Sequence, residues 1–226
     1  MNAASILYED NHIIAVNKSA GEIVQGDKTG DTPLSEKVKA FIKDRDQKPG
    51  NVFVGTVHRL DRPVSGVILF AKTSKALSRL NKMFSDKKMQ KTYYAITINP
   101  PFPIEGKLTH YLKKDKQRNI TKAHEKPVKD GLLSELSYKT LAQKQGETLV
   151  EVLPHTGRPH QIRVQLSSVM APIKGDLKYG AHFPNKDKSI CLHARKISFT
   201  HPVKQEKIEI TAPLPKNLFW SNFKSY

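Results

Sequence analysis

Eight short runs that alternate apolar and polar residues, or stay apolar throughout, limit this fold most tightly, because such runs read as strands. They are Ile13–Asn17, Val52–Arg59, Val64–Lys72, Thr92–Ile98, Leu133–Leu141, Thr148–Leu153, Ile190–Phe199 and Lys207–Ile210. Three other segments carry helical spacing. Thr32–Ile42 opens on Thr-Pro and places Leu34, Val38 and Phe41 on one face. Ser74–Phe84 puts Leu77, Leu80 and Phe84 inward and Lys75, Arg79 and Lys82 outward. Pro159–Val169 follows Gly157, carries Ile162, Leu166 and Val169, and has Pro159 suited to a first helical turn. Strands outnumber helices and do not alternate with them regularly. The expectation is therefore an α+β fold, a mixed and mostly antiparallel sheet with flanking helices, rather than a doubly wound parallel one.

The charge balance narrows the partner. Lysine and arginine number 38 against 21 acidic residues, a net charge of +17 over 226 residues. So much self-repelling charge implies a polyanion such as nucleic acid. Lys107–Lys129 is strongly basic, with Lys113, Lys114, Lys116, Arg118, Lys122, Lys126 and Lys129, and reads as an exposed hairpin or loop. Phosphate contact and a merely solvated face both fit that run. A single cysteine, Cys191, excludes an internal disulfide and a cysteine-rich metal site, which suits a reducing cytoplasm. The first thirty residues hold Glu9, Asp10, Asp27 and Asp31 and no apolar run fit for a signal peptide. No apolar stretch reaches the length of about 18 residues that a membrane helix needs, so no membrane partner is expected.

Three stretches could carry chemistry. In Val57–Phe70 two apolar runs flank a charged turn, with Asp61 between Arg59 and Arg62, Pro63 stiffening the turn and Gly66 permitting close backbone approach. A carboxylate held ionised beside guanidinium groups can be a nucleophile, a base, or half of a structural ion pair. In Leu153–Leu166 a helix start lies beside Arg158 and His160, a setting that favours phosphate, and Arg163 falls one turn inside. His155 and His160 stand five apart and do not form the i, i+4 pair of a helical zinc site, so no metal is expected. In Gln90–Ala95 the adjacent Tyr93 and Tyr94 point to opposite faces of a strand, so at most one faces a site.

Together these stretches resemble the RluA family of RNA pseudouridine synthases. That family carries His-Arg-Leu-Asp-x-x-Thr-Ser-Gly, then Lys-x-Tyr, then Thr-Gly-Arg-x-His-Gln-Ile-Arg, which match His58–Gly66, Lys91–Tyr93 and Thr156–Arg163 in order. Further similarity lies at Tyr8-Glu9-Asp10, Lys18–Gly21, Gly175-Asp176, Tyr179-Gly180, Leu192-His193-Ala194 and His201-Pro202. The resemblance implies a pseudouridine synthase-like fold, a single catalytic domain over residues 1–226 without a separate amino-terminal RNA-binding domain, and no cofactor. It also implies roles: Asp61 as the catalytic aspartate, Tyr93 lining the site and able to act as a base, and Arg163 pairing with the catalytic carboxylate. Arg59 matches an arginine that enters the RNA stack where the uridine leaves it, with His58 beside it, and Leu192 matches an apolar residue bordering the base. Val64, Ser19, Pro159 and Gln165 depart from the family's usual Thr, Pro, Thr and His, and none removes an acid, base or charge partner.

The activity implied is isomerisation of specific uridines in structured rRNA or tRNA to pseudouridine, with no obligate protein partner evident. Two other readings compete. A non-catalytic RNA-binding or ribosome-assembly protein on the same fold would share the charge but would tolerate loss of Asp61. A glycosidase wants two carboxylates across one bond, and a metal nuclease wants acidic clusters; neither pattern is present.

Overall fold

The computed structural model describes residues 5–27 and 29–226. Its first elements are β1 (Ile6–Glu9), β2 (Ile13–Lys18), α1 (Leu34–Arg45), β3 (Gly55–Thr56), β4 (Ser65–Ala71), α2 (Ser74–Ser85) and β5 (Gln90–Thr97). There follow β6 (Glu105–Asp115), β7 (Ile120–His124), β8 (Leu132–Lys144), β9 (Glu147–Pro154), α3 (Gln161–Ser168), a 3-10 turn (Leu177–Tyr179), β10 (Leu192–Thr200), β11 (Lys207–Thr211) and α4 (Leu218–Ser221). The strand pairing is mostly antiparallel, with a parallel pair, and the helices flank it, as expected. Two compact units form: the chain up to Gln90 with Ala194–Pro213, and Lys91–His193 with Leu214–Tyr226.

In the first unit β2 runs antiparallel to β4 from Ile13↔Ala71 to Lys18↔Gly66. Alternation then sorts the side chains. Ile13, Ala15, Val67, Leu69 and Ala71 face one way and pack on Ala76 and Leu80 of α2. Ile14, Val16, Ile68 and Phe70 face the other way and pack on Leu34, Val38 and Ile42 of α1. A helix on each face explains why every residue of β4 is buried and why its sequence runs apolar instead of alternating. Each such large side chain contributes roughly 1.5–3 kcal/mol by leaving water. Gly66, with φ +116°, is required where it stands: a Cβ there would lie 2.3 Å from the Ala194 carbonyl oxygen.

The second unit is a meander of long strands. β5 pairs with β9, β9 with β8, β8 with β6 and β6 with β7, all antiparallel. The basic stretch is thus an extended hairpin arm, β6 and β7, with its turn at 116–119. Ile96, Leu136, Leu149 and Val150 of these strands are buried, as is Leu166 of α3.

Among the expected boundaries that move, two have a visible cause. Val52–Arg59 shrinks to the two residues of β3, paired as Gly55↔Ala71 and Thr56↔Phe70. β2 covers the whole of one edge of β4, so β3 and β10 must share the other. Beyond Thr56 the His58 side chain replaces backbone pairing, its Nε2 accepting from the Leu69 N–H at 3.1 Å. The third helix starts at Gln161 and not Pro159, because His160 is left-handed (φ 56°) and cannot continue a helix.

Candidate active site

In the first unit the Asp61 turn is closed by backbone bonds and by a buried ammonium. The Val64 N–H donates to the Asp61 carbonyl at 3.0 Å. The Lys18 ammonium, fully buried, donates to the carbonyls of Arg62 (3.1 Å) and Val64 (2.6 Å) on either side of Pro63, and to Ser19 (3.0 Å). Gly21 adds a further tie, its N–H donating to the Arg62 carbonyl at 2.8 Å. The half-buried Asp61 carboxylate thereby stands on a turn with little freedom. Burial pushes the Lys18 amine down to about 8, while the charges of Glu22 and Asp61 oppose that fall. The buried ammonium therefore feels both the Glu22 and the Asp61 carboxylates, Glu22 the more strongly.

The flanking residues divide. Arg62 turns outward to Asp31 (2.6 Å) and the Thr29 hydroxyl (2.7 Å), so its guanidinium buttresses the neighbouring loop. Arg59 is exposed and makes no ion pair or side-chain hydrogen bond among the described residues. His58 is half-buried, with its ring stacked on Phe84 at 5.1 Å and its Nε2 on Leu69. The structure therefore places His58 against α2 and β4 and leaves Arg59 exposed.

In the second unit the other two motifs meet. A Cβ built on Gly157 would lie 3.7 Å from the Lys91 Nζ, so the Lys-x-Tyr strand lies against the Thr-Gly-Arg turn. Burial pushes the Lys91 amine below its ordinary value. Tyr93, two residues on and on the same face, is half-buried. The turn itself is held from within. The Gln161 amide oxygen accepts from the Arg158 N–H (3.0 Å) and the Thr156 hydroxyl (2.8 Å), and its nitrogen donates to the Glu135 carbonyl (3.0 Å). The Arg158 side chain is exposed, without a partner among the described residues. Leu192, at the start of β10, is buried.

Arg163 is buried on α3, and its Nε and Nη2 donate to the two oxygens of Asp176 at 2.7 and 2.8 Å. Its guanidinium also lies 5.0 Å above the Tyr179 ring. The histidines weighed as metal ligands are engaged elsewhere, His155 with the Ser137 hydroxyl (2.8 Å) and His160 with the Tyr179 hydroxyl (2.7 Å). Among the described residues no group of three or more His, Cys, Asp or Glu could hold a metal ion, and no helix is long and apolar enough to cross a membrane. Gln165, at the usual family histidine, is fully buried and donates to the carbonyls of Leu108 and Ser134, both at 3.3 Å.

Sequence reading gave no role to Lys18 or Asp176. A signal for Lys18 existed, since alternation puts it on the buried face of Ile14 and Val16. For Asp176 the only signal was the family similarity at Gly175-Asp176, because a loop residue has no period from which to read its partner.

A fold of this kind with these motifs defines an RNA-modifying isomerase, and comparison with known proteins specifies which. The profile of the family described as RNA pseudouridylate synthase matches residues 12–168. A tRNA pseudouridine synthase C of Pasteurella multocida is 36% identical over 226 residues, covering 92% of this chain and 90% of that protein. A ribosomal large subunit pseudouridine synthase C of Buchnera aphidicola is also 36% identical, over 97% of this chain and 69% of its own length. Among solved structures, human RNA pseudouridylate synthase domain containing 4 superposes with a TM-score of 0.80 at 22% identity, covering 98% of this chain and 92% of that one. The chain belongs to the RluA family of RNA pseudouridine synthases, isomerases that convert uridine in RNA to pseudouridine.

Proposed function

We propose that this protein modifies specific uridines in structured tRNA or rRNA in the cytoplasm, with Asp61 as the catalytic group and Tyr93 and Arg163 completing the set. The observation that carries the assignment is the Asp61 turn, whose carboxylate stands on a loop clamped by the buried Lys18, with the unpartnered Arg59 two residues away. The RNA substrates are suggested by the names of the relatives, one a tRNA enzyme and one a ribosomal one. The family profile crosses the boundary at Gln90, which supports reading both units as parts of one catalytic domain.

The target base must leave its stack, at a cost of a few kcal/mol. Arg59 offsets part of that cost by filling the gap, and Arg158 and His160 hold phosphate. His58 supports Arg59 through its anchorage on Leu69 and Phe84, and Leu192 borders the base. Asp61 assists rupture of the N1–C1′ bond; the uracil turns, C5 joins C1′, and the C5 proton passes to a base, the role assigned to Tyr93. Atoms are conserved throughout, so neither an oxidant nor a cofactor enters.

Asp61→Asn tests this directly, since it is nearly isosteric and removes the charge and basicity. The expected protein folds, binds RNA with little change and forms no detectable pseudouridine in a single turnover. Substantial product from a folded, RNA-binding Asp61→Asn variant would sink the assignment. So would the pattern of a purely structural ion pair, a fall in thermal stability with turnover retained by the folded fraction.

A further inference from the structure

Arg163 is held on two sides by one short segment. Asp176 takes its Nε–Nη2 edge in a bidentate pair, and the Tyr179 ring covers a face at 5.0 Å. Asp176 is 1% exposed and Tyr179 6%, so solvent does not compete for either. The segment is itself pinned, because the Asp176 carbonyl accepts from the N–H groups of Tyr179 (3.0 Å) and Ala181 (3.1 Å). A guanidinium with one edge and one face fixed can present its remaining edge in a single direction.

The same tyrosine reaches the basic arm. Its hydroxyl accepts from the Thr121 N–H of β7 at 2.8 Å and lies 2.7 Å from His160 Nδ1. The contact with Nδ1 ties the hydroxyl to His160 as well, with the histidine tautomer deciding which of the two donates. Burial raises the tyrosine above its ordinary value and keeps the hydroxyl protonated. Two further bonds join the arm to this point: the Thr121 hydroxyl donates to the Pro159 carbonyl and the Lys178 ammonium to the Asn119 carbonyl, both at 3.0 Å.

The arm is built for an anion. Lys113, Lys114, Lys116, Arg118 and Lys122 are exposed and have no partner among the described residues. Lys113 sits directly opposite Lys122 in the antiparallel register. Like charges so placed are destabilising until an anion lies across them. Beyond Leu112, where pairing with β8 ends, the arm is a two-stranded ribbon, and the ties at Thr121 and Asn119 stiffen it.

We propose that Tyr179 and Asp176 are positioning residues: Tyr179 couples the grip of the β6–β7 arm on the RNA backbone to the entry of α3, and Asp176 sets the Arg163 guanidinium. This rests on the proposed role of Arg163, and the two halves separate experimentally. Tyr179→Phe keeps the ring and removes the hydroxyl. Expected is RNA binding weaker by about fivefold to tenfold, the scale of one buried hydrogen bond, with the single-turnover rate at saturating RNA unchanged. Asp176→Asn keeps the shape and removes the charge that holds Arg163. Expected is a fall of about 100-fold in that saturating rate, on the scale of losing one preorganised donor, with RNA affinity within threefold of the parent.

Wild-type affinity in Tyr179→Phe overturns the coupling, and a wild-type saturating rate in Asp176→Asn overturns the anchoring. If Asp176→Asn does not fold, Asp176→Glu carries the anchoring test, since it keeps the charge but displaces it by one methylene. A lowered saturating rate then supports the proposal and an unchanged one overturns it. Asp61→Asn on the same RNA distinguishes the failures: an active Asp61→Asn removes the underlying reading, whereas an inactive one beside wild-type Tyr179→Phe and Asp176→Asn removes this inference alone.

Discussion

A lysine with no access to water is costly, because a buried ammonium loses its hydration and must find it again in protein dipoles. Lys18 finds three carbonyls, two of them bracketing Pro63, so its charge holds the shape of the turn below Asp61. This gives a pH signature with a definite sign. In the unfolded chain the amine titrates near 10.5, and in the folded chain burial brings it to about 8. Between those values the unfolded chain keeps a proton that the folded chain has released, so this residue's contribution to stability rises with pH. Below the folded value both states hold the proton and the contribution is flat. Stability of the parent relative to Lys18→Met should therefore be constant from about pH 6 to 7.5 and increase from about pH 8 to 10.5. Denaturant melts of both proteins across that range check it, since the raised tyrosines Tyr138 and Tyr179 are common to both. Parallel curves would mean that Lys18 keeps its ordinary proton affinity.

The elements show which structural features a linear pattern can carry. β2, β4, β9 and β11 were legible because alternation or an unbroken apolar run reports burial against helices or a neighbouring strand. α1 and α2 were legible because their apolar stripes recur at helical spacing. β3 failed for a reason that no local pattern holds: β10, distant in sequence, takes the edge of β4 that a longer β3 would need. β6 and β7 lacked a period because the arm exposes so many of its side chains, leaving little apolar alternation to read. At the site the motif residues were legible by type and order, while the partners of Arg163 and of the Asp61 turn were set by folding. The arm also yields a test. If the protein neutralises about five phosphates, log K should fall against log salt with a slope near −3.5 to −4.5. Replacing Lys113, Lys114 and Lys116 by Ala should flatten that slope by about 2 to 3. An unchanged slope would assign these lysines to a solvated face.

At the scale of the whole molecule, the 38 basic and 21 acidic residues leave +17 to be carried by the folded chain. Folding concentrates that charge, so self-repulsion weighs more on the native state than on the expanded chain. Local pairs such as Glu9 with Arg45 and Lys72 relieve part of it, but they are too few to balance the excess of cations. Added salt shortens the Debye length from about 30 Å at 0.01 M to about 10 Å at 0.1 M, and screens the repulsion. It also weakens RNA binding, because counterions released into a more concentrated salt solution gain less entropy. The two effects have opposite signs. Without RNA, the melting temperature should rise by a few degrees, about 2–5 °C, between 0.02 and 0.3 M NaCl. With substrate RNA at about 100 times its low-salt Kd, binding adds about 2.7 kcal/mol at low salt. That increment should vanish as salt dissociates the complex, so the melting temperature with RNA should fall over the same range and converge on the free curve. Thermal melts with and without RNA at matched salt measure both limbs. A free protein whose melting temperature falls with salt would show that its ion pairs outweigh its net charge. RNA that stabilises equally at 0.02 and 0.3 M would show that the hold on RNA rests on base contacts rather than on the phosphate-binding arm.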